Sequence, residues 1–191
     1  MNTRVKLAVA VAVLAAVAVG GTAAFAGGGG NGKEFNERLT GYEESAPLAL
    51  STSGNGKFDA KIQARSQEIS YKLKWADLEG AVTQAHIHFG ARAQSGGISV
   101  FLCSNLGNGP AGTQACPATN PASVSGTIRP ADVIGPAGQG IAPGEFAELV
   151  RAMKAGATYV NVHSEKYPSG EIRAQLEKGG DHRGHKGGRK H

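Results

Sequence analysis

At 191 residues, with 40% hydrophobic and 6% aromatic content, the chain has apolar material for one domain with a real core. Once its unusual ends are set aside it is too short for two. Its formal net charge is +5, yet residues 27–177 carry 13 Lys/Arg against 14 Asp/Glu. A nucleic-acid-binding domain keeps its basic residues on the folded surface, so this charge balance argues against that class.

The surplus charge sits at the two ends. Arg4 and Lys6 precede an apolar run from Leu7 to Val19, and Ala24-Phe25-Ala26 supplies an A-x-A cleavage site. Residues 1–26 therefore read as a secretory signal peptide. The apolar run falls short of the roughly 20 residues needed to cross a bilayer, so no membrane span is expected after cleavage. A secreted, extracytoplasmic protein is the expectation. Residues 27–34 read as a flexible glycine-rich leader. Residues 178–191 form a basic tail of glycine, lysine, arginine and the histidines His182, His185 and His191. Such a composition cannot bury a core and is expected to be disordered. It suits solubilisation or contact with a polyanionic envelope.

Between these ends the chain alternates apolar and polar residues in short runs, the period of half-buried strands. The series begins with Phe35 to Glu44. Lys57 to Arg65 places Phe58, Ala60, Ile62 and Ala64 on one face, and Glu68 to Trp75 does the same with Ile69, Tyr71, Leu73 and Trp75. Ser66-Gln67 makes these two a hairpin. Val82 to Phe89 and Ile98 to Cys103 follow, then Ser123 to Arg129. Thr158 to His163 and Glu171 to Leu176 flank Tyr167-Pro168-Ser169-Gly170, whose Pro-x-Gly chemistry is that of a turn. One segment changes period. Phe146, Leu149, Val150 and Met153 recur at helical spacing, with Pro143 ahead and Gly156 behind, which predicts a helix over 144–155. Many short strands with one helix predict an all-β fold, a Greek-key-like antiparallel β-sandwich. Cys103 and Cys116 bracket a loop rich in glycine, and in an oxidising compartment they are expected to form a disulfide. Closing a loop of that size stabilises the fold by about 3 kcal/mol.

The chemistry, if any, lies in His86-Ile87-His88 and in Tyr159-Val160-Asn161-Val162-His163. Histidines two apart on a strand share a face, with Cβ atoms about 6.5–7 Å apart. Together with His163 they offer three ligands for Cu or Zn, a set that leaves a coordination position open. The other reading is a polar network, in which the imidazoles hydrogen-bond to the backbone or to Asn161, Glu165 or Glu171. Glu171 and Arg173, on one strand face, are expected to form an ion pair or a polar seam. No G-x-S-x-G elbow or phosphate-cradling loop is present, so no catalytic residues are assigned.

The stretches Ala85-His86-Ile87-His88-Phe89-Gly90, Gly97-Ile98-Ser99-Val100, Val160-Asn161-Val162-His163-Ser164-Glu165 and Pro168-Ser169-Gly170-Glu171-Ile172-Arg173-Ala174-Gln175-Leu176 resemble the CHRD domain. That domain is named from the extracellular protein chordin and also occurs as single-domain secreted bacterial proteins. The resemblance covers residues 35–177 and implies a β-sandwich outside the cytoplasm, but no established activity or cofactor. His86, His88 and Gly90 also partly match a segment of Cu/Zn superoxide dismutase. The domain's three histidines are too few for a binuclear centre, which argues against superoxide chemistry. The sequence favours a non-enzymatic extracellular binding or structural module, with an extracellular protein or polysaccharide as partner. The alternative is a protein that binds Cu or Zn through His86, His88 and His163.

Overall fold

The computed structural model describes residues 34–45 and 49–177. The expected signal peptide, the tail and all of the leader except Glu34 lie outside the described residues. Eight strands follow one another: β1 (Glu34–Thr40), β2 (Asn55–Gln63), β3 (Glu68–Ala76), β4 (Val82–Phe89), β5 (Gly97–Ser104), β6 (Ala122–Ile128), β7 (Thr158–Ser164) and β8 (Ile172–Gln175). Each overlaps a segment that the sequence reads as a strand. Among the described residues a single α-helix, α1 (Phe146–Lys154), precedes β7. It is shorter at both ends than its pattern suggests. Glu145 makes no side-chain cap, and Gly156, at φ +72°, takes the left-handed conformation that ends the helix.

All pairings are antiparallel, and the strands form one sheet in the order β5-β4-β7-β8-β1-β2-β3-β6. The layers of the all-β fold are thus continuous. The sheet curls until its end strands β5 and β6 approach each other, and side chains bridge the seam. Gln114 Nε2 donates to Leu102 O at 3.0 Å on β5 and to Ser125 O at 3.4 Å on β6. Tyr71 Oη, from β3, donates to Leu102 O at 3.1 Å. The β2–β3 hairpin turns through residues 64–67, with Gln67 at φ 52°. Cys103 and Cys116 are joined by a disulfide.

The interior is filled by one face of every strand. Phe58, Ala60 and Ile62 on β2 and Ile69, Tyr71, Leu73 and Trp75 on β3 are buried, while the alternating lysines 57, 61, 72 and 74 face outward. On β7 and β8 this alternation of burial disappears. Every residue of both strands is buried. Val160, Val162, Ile172 and Ala174 face the core, so the opposite face, carrying Tyr159, Asn161, His163, Arg173 and Gln175, is covered as well. The candidate site lies under that cover.

Candidate metal centre

Strand registry assembles the site. On β4, Ala85 and Ile87 enter the core, so His86 and His88 project to the covered outer face. Pairing with β7 sets His86 opposite Asn161, His88 opposite Tyr159 and Gln84 opposite His163. On β8, Arg173 lies opposite Asn161 and Gln175 opposite Tyr159. One polar face therefore runs across three adjacent strands. The three histidines come together: one nitrogen from each lies within 4.8 Å of the others. All three are buried, at 0%, 8% and 6% exposure for His86, His88 and His163.

Backbone carbonyls orient two of the rings. His88 Nδ1–H donates to Gly96 O at 2.9 Å, and His163 Nδ1–H donates to Pro168 O at 2.9 Å. With the proton on Nδ1, each neutral ring carries a lone pair on Nε2. His163 Nε2 lies 3.2 Å from His86 Nδ1, and 3.1 Å from the Asn161 Oδ1 acceptor. The Nε2 atoms of His86 and His88 are buried without a hydrogen-bond partner among the described residues. Burial lowers all three pKa values, that of His88 to about 4. The rings are therefore neutral at ordinary pH, the state in which imidazole binds a metal.

Two glycines hold the roof over this face. A Cβ on Gly96 would fall 1.7 Å from Phe89 O, so only glycine brings this carbonyl to His88. Its N–H also donates to Tyr159 Oη at 3.2 Å. Gly170, at φ +129°, closes the turn after Pro168, and a Cβ there would meet the Glu44 carboxyl at 2.6 Å. Gly170 is legible in the sequence as part of a turn, but the closeness of the two glycines to the histidines is not.

Several residues of the site escape the sequence reading. Glu44 is buried with Oε1 unpartnered among the described residues, and burial pushes its carboxyl up to about 7. Tyr159 stacks on His88 with ring centroids 4.7 Å apart. Tyr159, Arg173 and Gln175 follow from alternation once their neighbours are known. Glu44 carries no such signal, because the loop after β1 brings it in. The expected pairing of Glu171 with Arg173 does not form. Glu171 Oε1 accepts instead from Thr52 Oγ1 and from the Glu79 backbone N–H, each at 2.8 Å. Glu171 precedes β8 and bonds outside the sheet, so it leaves the face that Arg173 occupies. Glu165 is exposed and accepts no hydrogen bond from the histidines.

Among the described residues no helix is long and apolar enough to cross a membrane. Residues 35–176 match the family model of the CHRD domain. No curated protein and no solved structure matches the chain.

Proposed function

The chain belongs to the CHRD domain family, and from that premise and the geometry of its histidines we propose an exported protein that holds one Cu or Zn ion between His86, His88 and His163. The observation that carries the reading is the lone-pair balance. Nε2 of His88 and of His163 are both acceptors, because each ring spends its N–H on a carbonyl. Two of the cluster's nitrogens have no hydrogen-bond partner among the described residues. Buried polar atoms left unpaired cost about 1–3 kcal/mol each, and a cation removes that cost. Carbonyl acceptors behind metal-bound imidazoles also fix tautomer and orientation, as these do. Imidazole nitrogens suit Cu and Zn, and three of them leave a position open to water or a ligand. Export is supported by the signal pattern at the N-terminus and by the disulfide.

The sequence alone favours a plain extracellular module. The convergence of three neutral, buried nitrogens favours a metal-holding one. Elemental analysis separates the two. The full chain, with His182, His185 and His191 replaced by alanine, is prepared without a metal column, loaded with Cu or Zn and dialysed. About one ion per chain should remain, and the His86→Ala/His88→Ala variant should hold almost none. Equal metal in both, or none in either, returns the protein to the plain binding or structural reading. Circular dichroism of the variant shows whether it has kept its fold.

A further inference from the structure

Next to the three rings lies a cavity of about 450 Å³ whose wall includes His88, His163, Glu44, Ser45, Tyr159 and Arg173. Arg173 is 2% exposed. Among the described residues, no carboxylate comes within 4.0 Å of its guanidinium. Its N–H groups donate to Ser45 Oγ, to Ala91 O at 3.2 Å and to Gln175 Oε1 at 3.5 Å, all neutral acceptors. The guanidinium lies over the Tyr159 ring at 3.4 Å, an attraction that holds the cation in place without neutralising it. Arginine has five N–H donors, and two of them have no partner among the described residues. Glu44 and Glu43 act on this cation through space without touching it, and a desolvated cation hydrogen-bonded only to neutral groups is costly, a cost that the entry of an anion offsets.

We infer that this cavity binds a small organic carboxylate, with Arg173 as its anchoring residue. Nη2 donates both its hydrogens within the protein, so a carboxylate accepts a charge-assisted hydrogen bond from Nε–H or from the remaining Nη1–H. One positive charge, with the Glu44 carboxyl in the same wall, suits a monoanion better than a phosphate dianion. The volume lies within the range of small-ligand pockets. The anion enters next to His88 and His163. That it also reaches the open position of a bound metal rests on the metal reading above.

The test is a titration of the metal-free full chain with sodium formate at constant ionic strength, with chloride as control, followed by backbone amide NMR. Saturable shifts are expected at Ser45, Gly96 and Ser169. Arg173→Gln should weaken binding about tenfold or more, and Arg173→Lys, which keeps the charge and loses the planar donor set, should fall between. Absence of these shifts in the unsubstituted chain, or their reproduction by chloride, overturns the pocket whether or not the variants fold. A natively folded Arg173→Gln protein with unchanged affinity overturns the role of Arg173. Repeating the titration on zinc-loaded chain separates the two proposals. Arg173-dependent formate binding without zinc uptake keeps the pocket and removes the metal. Zinc uptake with no formate binding in either form does the reverse.

Discussion

At the scale of single residues, the site is built from groups whose protonation the fold has shifted. Burial holds His86, His88 and His163 below the ordinary histidine value of 6.5, with a smaller effect on His86 from its two neighbours. As pH falls, the unfolded chain therefore takes up protons before the folded one does. The metal-free protein should lose stability from about pH 6.5 downward, through about 4. Glu44 acts in the opposite sense. Its raised value gives stability that is complete below the ordinary 4.5 and is lost as pH rises through about 7. Three depressed histidines outweigh one raised carboxyl, so net stability should climb between about pH 4.5 and 6.5. Glu44→Gln should steepen that climb. Urea midpoints measured across this range check both statements, and a flat or falling curve for the unsubstituted chain contradicts them.

At the scale of strands, position follows from alternation and registry. Runs such as Ile69, Tyr71, Leu73 and Trp75 could be read directly, because a half-buried strand writes its period into the sequence. The histidine cluster was half legible. Spacing puts His86 and His88 on one face, but only the β4–β7 pairing shows that His163 shares it. The pocket was least legible, since Glu44, Ser45 and Gly96 arrive on loops whose course no local pattern records. The seam between β5 and β6 is the sheet's other non-local feature. Gln114 Nε2 also lies 2.8 Å from Tyr71 Oη, so its two N–H groups, shared among three acceptors, tie both end strands to β3. Gln114→Ala should cost about 1–2 kcal/mol and speed amide exchange along β5 and β6 more than along β1 and β2. Uniform acceleration across the sheet would show that the side chain does not latch the seam.

For the molecule as a whole, one continuous sheet serves two purposes. Its inner face supplies the core, and the outer face of β4, β7 and β8 is kept out of water by the loops around Glu44, Gly96 and Gly170. That second, polar interior is where three neutral imidazoles and a guanidinium without a contacting carboxylate among the described residues are retained, although such groups are costly to bury. A sheet needing only stability would expose this face, as β2 and β3 expose theirs. The account thus depends on the histidines meeting at one ion. The most direct measurement is anomalous diffraction from crystals of the zinc-loaded protein, collected on both sides of the zinc edge. The account predicts one strong peak in the space shared by His86, His88 and His163, about 2.0–2.1 Å from a nitrogen of each ring. A peak elsewhere, or density at this point that does not change across the edge, would contradict it.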